Sequence, residues 1–265
     1  MNSTSHVLRG RVVTPHGVLP DGVVLVDSAT ISWVGPAHEA PVDLPGPTQD
    51  TLLPGLVDLH NHGGGGASFP DAEHADDVRT AAREHLGHGT TSLVASLVTA
   101  PRDVLLARTA LLADAVEQGE IVGIHLEGPF LSAARCGAQN PADMLPGDAD
   151  LVRDVARAAR GHLVTMTVAP EAPGVTDDVL EALVDAGAIP SIGHTDASAE
   201  QVDVAVDRGF DLLATSAAAR STRLTATHLF NGMRPLHHRD PGPVAACLAA
   251  AGRGELVVEL VADGT

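Results

Sequence analysis

The stretch Leu52–Phe69, LLPGLVDLHNHGGGGASF, carries an aliphatic run into two histidines one residue apart and then into four consecutive glycines. Taken alone, it is either a strand with a metal site at its mouth or a histidine-bearing glycine linker between domains. Residues two apart in an extended chain point to the same side, so His60 and His62 could both reach one cation. An H-x-H pair by itself is weak evidence, and the rest of the chain has to decide.

From about Thr51 onward, apolar strand-like runs alternate with Ala-, Leu- and Arg-rich segments of helical period. TLLPGLVDLH precedes a predicted helix near 76–88, TSLVASLV one near 102–118, and IVGIHLE, after a long loop, one near 148–160. The alternation continues through HLVTMTVAP, AIPSIGH, ATHLF and ELVVELVAD. Continuous apolar strands between helices indicate a parallel sheet buried on both faces, in a (β/α)8 barrel or a doubly wound sheet. The polar residues favour the barrel. His60, Glu127, His194 and His228 each stand at or just past the C-terminal end of a different apolar run, and a barrel brings those ends to one face. Seven strand candidates precede Thr265, with no eighth.

Upstream, VLRGRVVT, VVLVDS and TISWVG, separated by turn-rich pieces such as PHGVLPDG, have the pattern of a small antiparallel sheet. PAHEAPVDLPGPTQD then forms a Pro-rich connector. The expected organisation is a small β portion over residues 1–50 and a (β/α) barrel over residues 51–265.

A chain of 265 residues, 44% of them hydrophobic, has room for such a barrel beside a small unit. With 16 basic and 34 acidic residues the net charge is -18, which repels nucleic acid and anionic membrane; an anionic ligand needs a local basic pocket. Cys136 and Cys247 form no CxxC pattern, so neither a disulfide framework nor a zinc-thiolate site is indicated, and a reducing cytoplasm is expected. The N-terminus lacks a basic segment followed by an apolar core, and no apolar run reaches the roughly 18 residues of a membrane span. A soluble, untargeted protein is expected.

Glu127 follows the apolar run in GIHLEGPF, where a carboxylate is costly unless paired, hydrogen-bonded or bound to metal. Helix capping is the alternative, but Gly128 and Pro129 suit a tight loop better. PSIGHTDAS and TATHLFNGM repeat the arrangement with His194 and His228. Each histidine alone is more often an ordinary polar residue. Together, four strand ends carrying only His and Glu make the ligand set expected of catalytic Zn²⁺ or another borderline divalent ion. The glycines after His62 are then expected to let the chain turn and to keep bulky side chains away from the metal.

PGLVDLHNHGGGG, HLEGPFLS, GHTDAS, ATHLFNGM and the terminal ELVADG resemble, in order and spacing, the N-acetylglucosamine-6-phosphate deacetylases of the amidohydrolase superfamily. The resemblance implies a metal-dependent (β/α)8 TIM barrel flanked by a small β-sandwich. It implies Glu127, His194 and His228 around a principal metal, with His60 and His62 matching relatives that bind a second ion. Asn231 and Gly232 would meet the sugar phosphate, Arg239 its phosphate, and Ala138 and Gln139 the N-acetyl region. A planar guanidinium suits a dianion, and RPLHHR is the densest basic cluster in the chain, although a solvated loop is the bland alternative.

The implied reaction is hydrolysis of N-acetylglucosamine 6-phosphate to glucosamine 6-phosphate and acetate, in cytoplasmic amino-sugar catabolism by a possible homodimer. The resemblance also implies a catalytic aspartate on an eighth strand, expected beyond Thr265, so the 265 residues taken alone are expected to lack the last barrel strand and to turn over negligibly. A non-catalytic or split-enzyme fragment that binds metal and sugar phosphate is one alternative. A cyclic amidase is another, but those usually bridge two metals with a carboxylated lysine, and no lysine stands at a suitable strand end. TSAAARSTR before the sixth run is expected to be a loop insertion, and Cys136 a silent thiol.

Overall fold

β-Branched runs near the N-terminus pair into a hairpin, β1 (Ser5–Thr14) and β2 (Gly17–Asp27), and β3 (Thr30–Pro36) lies antiparallel on β2. The fold is taken from a computed structural model, which describes residues 5–261. PHGVLPDG is mostly strand rather than turn: Thr14 pairs with Gly17, so only Pro15 and His16 make the bend. A short strand, β4 (Thr51–Leu52), joins β1 in parallel, with Thr51 opposite Arg11 and Leu52 opposite Val12. The sheet, ordered β3-β2-β1-β4, is therefore mixed rather than purely antiparallel. The Pro-rich connector is tied to it, since Thr48 Oγ1 donates to the Arg9 carbonyl at 2.8 Å and Arg9 Nη1 to the Pro45 carbonyl at 2.8 Å. The chain divides into two compact units, residues up to Leu56 and those from Val57 onward.

In the larger unit β5 (Leu56–Asn61) runs into a small hairpin, β6 (Gly63–Gly64) and β7 (Ala67–Ser68). Helices and strands then alternate: α1 (Ala75–Gly87), β8 (Thr90–Val98), α2 (Arg102–Glu117), β9 (Gly123–Glu127), α3 (Ala149–Ala159), β10 (Leu163–Val168) and α4 (Asp177–Asp185). The series closes with β11 (Ile189–Ile192), α5 (Ala199–Thr215), β12 (Leu224–Ala226), α6 (Gly242–Arg253) and β13 (Leu256–Val258). The strands form one seven-stranded sheet in the order β13-β12-β11-β10-β9-β8-β5, and every pairing from β8 to β13 is parallel. This is the expected α/β barrel architecture, with the seven strands that the apolar runs predicted.

Local chemistry explains the boundaries. Asp148 caps α3, accepting from the N–H groups of Asp150 and Leu151, and Ser198 with Gln201 forms a capping box on α5. α6 ends at Gly254, φ 81, where a left-handed residue satisfies the last carbonyls. All five residues of β9 are buried, and Leu97, Ile124, Leu126, Leu163 and Met166 fill the core between sheet and helices. At the sheet edge, Leu56, Val57 and Leu59 of β5 remain exposed.

Two expectations need correcting. The run ATHLF is not one strand, because β12 stops at Ala226 and His228 lies beyond it. Thr215, read as the first residue of the insertion, closes α5, so the loop proper is residues 216–223. Arg220 pins that loop by donating to the Gly161 carbonyl at 2.7 Å. The last four residues of ELVADGT lie outside the described residues.

Candidate metal centre

Where β5 ends, Asp58 and Asn61 shape the chain. Asp58 Oδ1 accepts from the His60 N–H at 3.2 Å, Asp58 Oδ2 from Asn61 Nδ2 at 2.8 Å, and Asn61 Oδ1 from the Gly63 N–H at 2.8 Å. The hairpin then turns at Gly65 and Gly66, φ 61 and 86, successive left-handed residues of the type that two-residue hairpins require. A Cβ on Gly63 would fall 2.3 Å from the Ala67 carbonyl oxygen, and one on Gly64 2.8 Å from His85 Nε2. Their neighbours belong to the hairpin and α1. The glycines therefore make the turn, as expected, but the space they leave is filled by the hairpin's own packing rather than kept open around a metal.

The hairpin's entry leaves His60 and His62 facing Glu127 at the end of β9. Glu127 Oε2 lies 3.1 Å from His62 Nε2 and 3.7 Å from His60 Nε2, and Glu127 Oε1 lies 2.8 Å from both His194 Nε2 and His228 Nε2. One carboxylate thus stands between two histidine pairs, each of which makes with it a triad able to hold a cation. Glu127 and His194 are buried at 4% and 5% exposure, while His60, His62 and His228 are half-buried. His194 and His228 lie just past β11 and β12 at φ 46 and 33, a left-handed turn of the backbone taken by few residues other than Gly.

The outer nitrogens decide what the inner ones can be. His194 Nδ1 lies 2.8 Å from the Arg135 carbonyl and His62 Nδ1 3.2 Å from the Ser96 carbonyl, contacts that only a protonated Nδ1 satisfies. In a neutral ring each Nε2 then carries a lone pair aimed inward. His60 Nε2 and His62 Nε2 meet at 3.0 Å, and His194 Nε2 and His228 Nε2 at 3.2 Å. Facing lone pairs next to a carboxylate need a shared proton or a cation, so the donor set fits a divalent metal. Without one, protons take its place. Burial opposes ionisation of Glu127, but bonds from His194, His228, His60 and His62 outweigh it and hold the carboxyl well below its ordinary range. His60 is raised to about 9 against the effect of burial, by Glu127 and Glu259.

Around the triads lies a second layer, of which the sequence had singled out only Gln139. Gln139 Nε2 donates to Glu127 Oε2 at 2.8 Å while its Oε1 accepts the Thr99 N–H at 2.8 Å, fixing the carboxylate's rotation. His125, fully buried, bonds Ser96 Oγ at 2.9 Å and Thr167 Oγ1 at 2.8 Å, and its ring packs edge-on against His60. Burial keeps His125 well below its ordinary value, so it is neutral. Thr167 Oγ1 continues to Thr227 Oγ1 at 2.7 Å, and Thr227 to Ser191 Oγ at 2.6 Å, a hydrogen-bonded belt across five strands and strand ends. A histidine two residues before Glu127 shares its face of β9, which is the one signal that could have marked His125.

Of the residues drawn from sequence, His60, His62, Glu127, His194, His228 and Gln139 come together. Gly232 packs against His194: at φ 58, a Cβ there would sit 2.8 Å from His194 Nδ1. Its carbonyl accepts the Thr195 N–H at 3.0 Å. Asn231 Nδ2 folds back onto the His228 carbonyl at 3.2 Å. Ala138 is exposed on the loop before Gln139, and Arg239 lies exposed on the segment after Met233 without an ion pair among the described residues. Among the described residues, no helix is long and apolar enough to cross a membrane.

Comparison with known proteins adds sequence and fold to this geometry. The N-acetylglucosamine-6-phosphate deacetylase of Bacillus subtilis (strain 168) is 34% identical over 264 residues, covering 96% of this chain and 62% of the relative. The N-acetylgalactosamine-6-phosphate deacetylase of Shewanella sp. (strain ANA-3) is 33% identical over 234 residues, 87% of this chain and 54% of the relative. A solved mutant of the N-acetyl-D-glucosamine-6-phosphate deacetylase from Mycobacterium smegmatis, in complex with N-acetyl-D-glucosamine-6-phosphate, superimposes with TM-score 0.85 at 36% identity, covering 99% of this chain and 64% of that one. The chain thus spans less than two thirds of the length of these relatives. The model of the Amidohydrolase family matches residues 51–241, the stretch that runs from the first barrel strand through His228, and the chain belongs to that family.

Proposed function

We propose that this chain forms the metal centre and sugar-phosphate site of a deacetylase that hydrolyses N-acetylglucosamine 6-phosphate to glucosamine 6-phosphate and acetate. The observation that carries this is Glu127 set between His60 and His62 on one side and His194 and His228 on the other. A divalent ion held by these nitrogen and oxygen ligands, zinc in this reading, would supply a Lewis acid that activates water and polarises an amide carbonyl. The residues around it hold the ligands still. Gln139 keeps Glu127 from rotating, and the Arg135 and Ser96 carbonyls keep the Nδ1 protons of His194 and His62 outward.

The substrate follows from the relatives' names and from the remaining residues. Arg239 offers a guanidinium to the phosphate dianion, Asn231 and Gly232 border the sugar beside His228 and His194, and Ala138 with Gln139 borders the acetamide. A cytoplasmic location and a homodimer belong to the same reading; two free cysteines support the first. N-acetylgalactosamine 6-phosphate, which differs in one hydroxyl configuration, is the second reading, favoured by the Shewanella relative at nearly the same identity.

Calorimetric titration of the zinc-loaded protein with both sugar phosphates tests this. Saturable binding that requires the metal and disappears with Arg239→Ala is expected. Failure of the loaded protein to bind either sugar phosphate would refute the assignment.

A further inference from the structure

Glu259 follows β13 with its main chain clamped at both ends: its N–H donates to the Ala226 carbonyl at 2.9 Å and its carbonyl accepts the Leu229 N–H at 2.8 Å. Its side chain is only 17% exposed, and Oε2 is buried with no hydrogen-bond partner. A buried carboxylate oxygen left unmatched is costly. The ring it faces is that of His60, whose Nδ1 lies 3.7 Å away. The same ring presents Nε2 to His62 and Glu127.

The arrangement spans the two edges of the sheet. β5 and β13 are the first and last strands in the sheet order, and β5 has a neighbour on one side only. His62 is steadied by the Ser96 carbonyl and His194 by the Arg135 carbonyl, whereas His60 Nδ1 has Glu259 in that place. A ligating histidine characteristically turns its outer N–H toward a carboxylate or carbonyl, which fixes the ring and raises the basicity of the inner nitrogen.

We propose that Glu259 is a positioning residue for His60, holding Nε2 toward Glu127 and so setting how tightly a divalent cation is retained by His60, His62 and Glu127. This rests on the reading of the His60–His62 side as a second metal position. With Nε2 turned to a cation, the Nδ1 proton would face Glu259 Oε2, which would accept it in a hydrogen bond.

The test is competitive zinc titration against a chromophoric chelator on the whole protein, with cobalt absorption spectra as a second readout. Wild type is expected to hold two ions, one of them sensitive to His60→Ala. Glu259→Ala should weaken that same ion by roughly 10–100-fold, the range for removing an outer-shell partner, and shift the cobalt bands, while the His194–His228 ion stays unchanged. Glu259→Gln, which keeps an acceptor oxygen, should recover part of the loss. Two ions in wild type with both Glu259 variants unchanged would overturn the proposal alone. Equal weakening of both ions, with a lowered melting temperature, would overturn it in favour of a purely structural role at β13. A wild type with one ion insensitive to His60→Ala would overturn both the two-site reading and the proposal.

Discussion

Alanine at Gly232 meets two separate costs. At φ 58 an L-residue loses about 1–2 kcal/mol relative to its right-handed conformations. Its Cβ would also stand 2.8 Å from His194 Nδ1 and 3.2 Å from Cε1, closer than van der Waals contact allows. The ring cannot simply swing aside, because Nδ1 is held by the Arg135 carbonyl at 2.8 Å and Nε2 by Glu127 Oε1 at 2.8 Å. Loosening that bond adds ~1 kcal/mol, for a total of roughly 2–3 kcal/mol in stability. Nε2 moves with the ring, so the affinity of the Glu127–His194–His228 site should fall by about 10–100-fold. Gly66→Ala is the matched control: φ is 86, but no heavy atom lies within 4 Å of the new Cβ, so it carries the backbone cost alone. Denaturant unfolding of both variants, and zinc competition against a chelator, separate the two costs. Wild-type zinc affinity in Gly232→Ala, with a stability loss matching Gly66→Ala, would show that Gly232 does not seat His194.

Two further outcomes follow from the same geometry. In the metal-free protein His60 is raised from 6.5 to about 9, so its contribution to stability is complete below pH 6.5 and is lost as pH climbs through about 9. Melting temperatures of the metal-free protein should fall across that window, while zinc-loaded protein should resist, because metal binding needs deprotonated ligands; a flat metal-free profile would contradict the ion-pair assignment. Thr227→Val is nearly isosteric but leaves buried hydroxyls of Thr167 and Ser191 each short of a partner. It should cost ~1–3 kcal/mol in unfolding free energy with zinc stoichiometry retained, and unchanged stability would mean the belt is dispensable.

The barrel was legible because its strands are apolar on both faces and its helices keep a separate period. The helices expected near 76–88, 102–118 and 148–160 begin and end within about a residue of α1, α2 and α3. Glu127, His194 and His228 stood out because a titratable residue ending a buried strand is expensive. Glu259 carries the same signal after LVV, yet its partner, His60, is at the far end of the sheet, and only the strand order brings them near. His125 was hidden inside an apolar run. Its meaning depends on Ser96 and Thr167, which cross-strand register places beside it. In sequence, β4 is continuous with β5 and so reads as part of the barrel, whereas two residues suffice for it to pair with β1. Left-handed backbone at His194 and His228 leaves no mark in residue type, since histidine tolerates it without announcing it.

That tolerance changes what mutational scanning can measure at these positions. Histidine, asparagine and aspartate visit φ > 0 more readily than alanine does. At position 60, outside that region, an alanine exchange removes an imidazole and little else. At 194 and 228 the same exchange also places an unsuited residue on a left-handed backbone, so a loss of about 1–2 kcal/mol would be charged to the missing nitrogen although it belongs to the main chain. Asparagine at 194 and 228 keeps the backbone comfortable while withdrawing the ring. The difference between the asparagine and alanine variants then measures conformational cost, and the difference between histidine and asparagine measures coordination.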